Sequence, residues 1–348
     1  MTEPEHARSH LDGAAATAAR LFLPIAVTAA ILVVLPHFWF ADSPYTTGLA
    51  VEALVFGCYA VGFNLIFGST NQLFLCVGAL AGVGGYATAI LSDKASLPLA
   101  VGVAIGTVSA AIVGGLLAWI AVRRSLNVIF TGIVTLVFSL AFTNFIIGQR
   151  DLTGADTGYV LGGAATRLAD DRLGGYYLFV GLLVGLLLVF RALQLSHLGW
   201  AFRALRDDEV AAELAGVDVA RYRIYAAMVG SAMIGLTGGL FAYSLGFISP
   251  VTYGFAQVDV QVLIIVAFGG LGTLLGPVVG AAAFGFLDRA LSDSGQLREA
   301  YYGAFVIAIF LFLRRGVVPT VGGLFERLLA SRRRAQRIEG TAPGRSER

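Results

Sequence analysis

The chain has 348 residues, of which 57% are hydrophobic and only 13% are charged, with a net charge of +2. Water-soluble domains carry about 25% charged residues, so this composition excludes a soluble globular protein and predicts a polytopic, all-α membrane protein. The 44 glycines suit helices that pack closely in lipid. Four scattered histidines indicate no metal site, and Cys58 and Cys76 lie in apolar stretches that favour buried thiols over a disulfide.

The first half of the chain divides into apolar stretches long enough to cross a bilayer, for which a helix needs about 20 residues. Residues 1–20 are mixed in charge and are expected to form a cytoplasmic N-terminal segment. Residues 53–92 hold 40 residues without a charge, enough for two spans separated by the polar stretch 67–72. The other predicted spans of this half are 21–41, 95–122 and 125–149.

The second half begins with a loop at 150–173, which is rich in Gly, Asp and Thr. The polar stretch 199–223 lies between two further spans, and 259–288 is apolar apart from its ends and a glycine-rich interruption. The tail 314–348 carries nine Arg and three Glu, which predicts a cytoplasmic tail near anionic lipid rather than a nucleic-acid site. The predicted spans are 173–190, 224–247, both parts of 259–288, and 300–313.

The distribution of Lys and Arg predicts how the chain is oriented. With the N-terminus in the cytoplasm, the inner segments carry 18 of these residues and the outer segments carry six. Cytoplasmic loops are normally the richer in Lys and Arg. This orientation requires 259–288 to cross twice, with its break toward the cytoplasm. The sequence therefore predicts a bundle of about ten membrane segments within a transmembrane domain of residues 21–313, with both termini cytoplasmic.

The polar stretch 199–223 is predicted to contain a cytoplasmic amphipathic helix. Its acids at 207–209 suit the positive end of a helix dipole, Gly216 is a helix stop, and Asp218 is placed to cap the next helix. Apolar side chains recur at i, i+4 and i+7, in Val210, Leu214 and Val217. An apolar stripe on a short helix between two spans indicates that this helix lies against a soluble partner protein.

Polar and glycine residues interrupt the apolar spans in both halves, a pairing typical of transporters with a central path. Unwound backbone persists at membrane depth only where protein or water surrounds it. The alternatives are a simple polar turn and hydroxyls that bond their own helix. The candidate path residues are Asn64, Thr70, Asn71, Gln72, Thr131 and Thr135. The candidate helix break consists of Gly269, Gly270, Gly272, Gly276 and Pro277.

The sequence shows no catalytic constellation and no nucleotide site. The glycines at 269–276 lack the Gly-Lys-Ser/Thr of a phosphate loop and follow no predicted strand. A transporter without a nucleotide site uses an ion gradient or a separate ATPase. Gradient-driven carriers place acids inside their spans, whereas Asp259 is expected at a membrane interface. The sequence therefore favours a non-enzymatic transporter that binds no metal or cofactor and depends on a partner ATPase.

Three motifs resemble those of a known family, the membrane-spanning permeases of high-affinity branched-chain amino-acid ABC importers (LivM/LivH type). The resemblance covers about residues 45–320. Residues 203–223 are similar to the family's cytoplasmic coupling segment, residues 268–277 resemble a second signature, and residues 152–158 are similar to its outer loop.

The resemblance implies an inner-membrane permease that forms a pore with a second, identical or related, permease subunit. Two cytoplasmic ATPase subunits would use ATP and dock on the coupling segment, and a periplasmic binding protein would deliver substrate. The importer pattern Glu-Ala-Ala-x-x-x-Gly is matched except that the glutamate falls one place early, at Glu209. The implied coupling residues are Arg206, Glu209, Ala211, Ala212, Glu213 and Gly216.

The larger departure from the family lies at residues 68–86 and begins with the stretch 68–78. The family usually reads Gly-Tyr-Thr-Gly-Gln-Leu-Ser-Leu-Gly-His-Ala here, and this chain has Phe74, Cys76 and Val77 in place of Ser, Gly and His. Branched-chain amino acids are the expected substrates, and urea, short amides and aromatic acids, which related systems carry, stay open. A stand-alone gradient-driven carrier or channel is the alternative from another class.

Overall fold

The structure, a computed structural model, describes residues 22–36, 44–95, 97–161, 172–291, 303–304, 307, 311 and 316–320. The predicted N-terminal segment 1–20 and most of the tail 314–348 lie outside the described residues. So does most of the predicted last span, 300–313. The count of ten segments and the division of the chain at residues 20 and 313 therefore stay predictions.

Long helices make up most of the described chain. The first half contains α1 (Phe22–Pro36), α2 (Pro44–Thr70), α3 (Val77–Lys94), α4 (Leu99–Arg123), α5 (Val128–Gly148) and the short α6 (Arg150–Thr153). The second half contains α7 (Arg172–Leu195), α8 (His197–Asp207), α9 (Glu209–Leu214), α10 (Val219–Leu245), α11 (Asp259–Gly269) and α12 (Gly276–Leu291). Single 3₁₀ turns cover Ala155–Thr157 and Pro250–Tyr253.

Among the described residues, five helices are long and apolar enough to cross a membrane: α2, α4, α5, α7 and α10. Helices α1 and α11 are apolar but shorter. Two helices extend beyond the spans predicted from the sequence, whose ends had been set at a lone charge. Helix α2 begins at Pro44 and includes Glu52, and α7 continues past Arg191, whose Nη1 donates to Gln194. Long charged side chains reach water from a helix end without stopping the helix.

Helix α10 lies at the centre of the bundle and packs against α2, α3 and α4. Small residues allow this close approach: a Cβ on Gly84 of α3 would collide with the backbone of Gly235 in α10. Helices α7 and α12 pack on the other side of α2. Both cysteines are free and fully buried in this bundle, as the sequence indicated.

A small antiparallel ladder joins the two halves at the end of α10. Strand β1 (Tyr159–Val160) pairs with β2 (Phe247–Ile248), with Tyr159 opposite Ile248. The Tyr159 hydroxyl donates to Asp93, and burial together with this bond raises the pKa of Tyr159 to about 12, so it remains a neutral donor at physiological pH. The described part of the predicted 150–173 loop thus pairs with a segment about 90 residues away. The local sequence does not encode this pairing.

Candidate functional site

The first interruption is a segment without regular secondary structure, residues 71–76, which we call break 1. It connects the end of α2 to the start of α3, four residues later than the predicted break at 67–72. Asn71 turns the chain in the left-handed region, with φ of 53°, a conformation that Asn tolerates better than most residues. Gln72, Phe74 and Cys76 are buried. Backbone groups in a buried irregular segment need partners from elsewhere in the protein.

Helix α5 supplies one of these partners. The Thr135 hydroxyl accepts a hydrogen bond from the backbone N–H of Leu75 at 2.9 Å and donates to the carbonyl oxygen of Thr131 at 2.9 Å. Ser139 follows one helical turn later, so Thr131, Thr135 and Ser139 form one buried polar stripe along α5. This stripe faces break 1 and the beginning of α3.

Asp259 is the first residue of α11 and binds the beginning of α3, a contact that the sequence did not predict. Its side chain is only 1% exposed. One carboxylate oxygen accepts from the backbone N–H of Gly78 at 3.2 Å, and the other accepts from the Ser139 hydroxyl at 3.1 Å. The carboxylate therefore caps α3 from 181 residues away in the sequence and joins α3, α5 and α11. No local signal identifies such a cap.

The second interruption is residues 270–275, which we call break 2. Gly269 ends α11, Gly276 begins α12 and Pro277 follows it, so the glycine-rich stretch does separate two short helices. Gly270 and Gly272 have φ of 114° and 73°, which favour glycine.

Asn64 of α2 holds break 2 with both ends of its amide group. Its Nδ2 donates to the carbonyl oxygen of Thr273 at 2.9 Å, and its Oδ1 accepts from the backbone N–H of Gly272 at 2.7 Å. The Thr273 hydroxyl donates to Gly270 O at 2.7 Å and accepts from Gly276 N at 3.1 Å. These bonds satisfy backbone groups that no regular helix pairs.

The structure brings the six candidate path residues to the two breaks. Thr70 ends α2 and donates to Ile66 O, and Gln72 Nε2 donates to Thr70 Oγ1 at 2.9 Å and to Arg223 O at 3.1 Å. Asn64, Thr70, Gln72, Thr131 and Thr135 are buried, while Asn71 is exposed. In this conformation the buried side chains fasten the breaks to their surroundings, and their role in a path stays a prediction.

The predicted amphipathic helix consists of two helices, α8 and α9, which together we call the coupling segment (residues 197–214). The backbone changes direction at Asp208, whose carboxylate accepts from Val210 N at 2.9 Å and Ala211 N at 3.1 Å. Gly216 has φ of 85° after the end of α9, and Asp218 accepts from Arg221 N at 3.1 Å, capping α10. Local capping chemistry thus sets these ends, as the sequence predicted.

One side of α9 is anchored and the other is open. Ala212 is buried with Leu205 of α8 and Val219 of α10. On the opposite side, the side chains of Val210 and Leu214 are 66% and 85% exposed. The other candidate coupling residues, Arg206, Glu209, Ala211, Glu213 and Gly216, are also exposed. This surface can dock a partner without disturbing the bundle.

Taken together, several apolar helices, two interrupted segments and an exposed polar segment at one end of α10 define a multi-pass, α-helical membrane transport protein. A family model described as "Branched-chain amino acid transport system / permease component" matches residues 45–313. The chain belongs to this family. It is therefore a membrane permease component and not an enzyme.

Individual relatives agree with this assignment. LivM, a high-affinity branched-chain amino acid transport system permease protein of Escherichia coli strain K12, is 27% identical over 83% of this chain and 73% of its own length. LivH of the same organism is 22% identical over 74% of this chain and 89% of its own. The fructose import permease protein FrcC of Rhizobium meliloti is 26% identical over 72% of this chain and 80% of its own. No solved structure matches the chain significantly.

Proposed function

We propose that the chain is a permease subunit of an ATP-driven ABC importer and that its coupling segment docks on a cytoplasmic ATPase. The observation that carries the proposal is the exposed apolar pair Val210 and Leu214 on a short helix that Ala212 anchors to the bundle. Exposed apolar side chains on an anchored polar element are typical of a protein-binding surface. In this proposal the chain itself binds no ATP, and the partner ATPase subunits bind and hydrolyse the ATP.

The proposed substrate is a branched-chain amino acid or a related small amphipathic solute, delivered by a periplasmic binding protein. The names of LivM and LivH support this class. The match to a fructose permease shows that similar sequences carry different cargo, so urea, short amides and aromatic acids remain alternatives. The proposed assembly contains a second permease subunit, identical or related, and two ATPase subunits in the inner membrane, with both termini of this chain in the cytoplasm.

Cross-linking from single cysteines tests the docking proposal. Val210→Cys or Leu214→Cys in the assembled complex should capture the ATPase subunit, identified by mass spectrometry. Native Cys58 and Cys76 are fully buried, so their background labelling should be low. Val251→Cys is the matched control, because Val251 is 67% exposed but lies beyond the opposite end of α10. Capture from Val251 alone, or from neither site, would contradict the proposal.

A functional version of the test changes the docking surface itself. The double variant Gly216→Trp, Glu209→Arg should hydrolyse ATP without matching uptake, because it enlarges and reverses the charge of the proposed contact. Uptake of radiolabelled substrate into proteoliposomes containing the binding protein measures this. Unchanged transport in the double variant counts against docking at the coupling segment.

A stand-alone gradient-driven carrier is the second candidate, and buried Asp259 favours it. Acids inside membrane spans commonly bind coupling ions. Against this role, the Asp259 carboxylate is already bonded to Gly78 N and Ser139 Oγ. Uptake by the purified chain in liposomes with an imposed proton or sodium gradient, and without any ATPase, would establish the carrier function.

A further inference from the structure

We propose that the coupling segment is linked to both membrane breaks by two separate sets of contacts. Arg206 connects it to break 2, and the pair Glu209–Arg223 connects it to break 1 through Gln72. This inference rests on the proposed docking of an ATPase and makes Arg206 and Arg223 positioning residues for transport. An ATPase that moves the coupling segment would then move both breaks in the same step.

The link to break 1 passes through Arg223 near the start of α10. Its guanidinium forms a two-pronged ion pair with Glu209 of α9, at 2.7 Å and 2.9 Å. The Arg223 side chain is only 17% exposed, so solvent screens this pair less than a fully exposed one. The backbone carbonyl of the same residue accepts from Gln72 Nε2 at 3.1 Å. A single residue thus touches both α9 and break 1.

The link to break 1 contains polar atoms that are free to take new partners. Within the described part of the chain, buried Gln72 Oε1 and Arg223 Nε have no hydrogen-bond partner. Both residues line a cavity of about 10 Å³ with Asn71 and Thr131, which is room for one water at most. Unpaired buried polar atoms disfavour the conformation that holds them. A displacement of Arg223 can therefore offer both atoms new partners without first breaking a bond that either of them holds.

The link to break 2 is a direct contact between a side chain and the backbone. The Arg206 guanidinium lies against Gly272, where a Cβ would collide with Nη1. The N–H of Gly272 is the donor to Asn64 Oδ1, so Arg206 of α8 and Asn64 of α2 meet at one residue of break 2. A displacement of α8 would press directly on this bond.

Among the described residues, the contacts of two neighbouring arginines stay within their own helix or its cap, and these arginines serve as matched controls. Arg221 forms an exposed ion pair with Asp218, three residues away on the same segment. Arg203 lies on α8 one turn before Arg206 and stacks on Trp200, with 4.6 Å between its Cζ and the ring centroid. Removing either side chain takes away a positive charge from the same region without breaking a link to a membrane interruption.

Hydrogen–deuterium exchange in the reconstituted importer tests both links without labels in the breaks. With ATP, peptides covering 71–76 and 270–275 should both change their exchange in the unmodified protein. Arg223→Ala should abolish the change at 71–76 alone, and Arg206→Ala should abolish it at 270–275 alone. Arg221→Ala and Arg203→Ala should retain both changes.

Transport per ATP hydrolysed provides the second readout. Arg206→Ala and Arg223→Ala should each lower this ratio about 10-fold, the size of a typical coupling between sites. Arg223→Lys, which keeps a positive charge beside an unchanged Glu209, should recover part of the loss, which a variant that merely misfolds cannot do. If both alanine variants keep the ratio and the exchange changes while Val210→Cys still captures the ATPase, the links are overturned and docking stands. If neither Val210→Cys nor Leu214→Cys captures an ATPase, docking fails and the links fail with it.

Discussion

Break 1 and break 2 are both six residues long, yet they are held in opposite ways. Break 1 is mostly apolar, and its anchors are side chains from distant helices: Thr135 of α5, and Asp259 of α11 at its junction with α3. Break 2 is held largely by its own left-handed glycines and Thr273, with Asn64 of α2 as its hydrogen-bonding anchor from another helix and Arg206 of α8 lying against Gly272. Tertiary contacts therefore define break 1, whereas local backbone conformation largely defines break 2.

The largest expected effect falls on the junction of break 1 with α3. Asp259→Ala removes a buried acceptor from Gly78 N and Ser139 Oγ, and should lower the free energy of unfolding by about 3 kcal/mol. Chemical unfolding in detergent, followed by circular dichroism, measures this. Asp259→Asn keeps an acceptor for the Gly78 N–H and should lose about half as much. Equal losses in the two variants would show that the bond to Gly78 is unimportant.

The corresponding change at break 2 should be smaller, because part of its stability is local. Asn64→Ala leaves the N–H of Gly272 and the carbonyl of Thr273 without this partner, at a cost of about 2 kcal/mol. The same unfolding assay checks it. A loss larger than that of Asp259→Ala would reverse the comparison between the two breaks.

Backbone conformation at break 2 can be tested separately. Gly272→Ala places a Cβ in the left-handed region and against Arg206, and should cost about 1.5 kcal/mol. Gly181→Ala in α7 is the control, since its Cβ would meet nothing within 4 Å. Combining Gly272→Ala with Arg206→Ala should restore only part of the stability, because the Cβ would still lie 2.8 Å from the carbonyl oxygen of Gly68 and φ would stay positive. No recovery in the double variant would show that the contact with Arg206 costs nothing.

The smallest effect is expected at the α5 stripe. Thr135→Val keeps the shape of the side chain but removes the acceptor for Leu75 N, which should cost about 0.6 kcal/mol for a hydrogen bond inside a membrane protein. Thr107→Val in α4 is the control, because the Thr107 hydroxyl donates to Val103 O of its own helix. Comparing the unfolding midpoint of Thr135→Val with that of Thr107→Val shows whether the two threonines differ.

The two breaks also show which features of the structure the sequence can predict. Break 2 could be placed from its glycines, and the caps Asp208 and Asp218 from their spacing, because the determinants lie within a few residues. Break 1 was placed four residues early, and the bond from Asp259 to α3 was not predicted, because the partners are Thr135 and Gly78 on other helices. The bond from Asn64 to break 2 spans 208 residues and has no local signature. Membrane class and family followed from composition and motifs, whereas contacts between helices did not.

The ladder at the C-terminal end of α10 has a consequence for redesign. Its bonds, and the bond from Leu161 N to Gly246 O at 2.9 Å, join backbone to backbone. Backbone hydrogen bonds do not depend on the side chains of the residues that form them. The exposed residues Val160 and Phe247 can therefore be substituted while the ladder keeps its shape. Gly158 is the exception, because any side chain there would strike the Phe247 ring. The ladder is thus a position that tolerates a grafted epitope or a reporter dye.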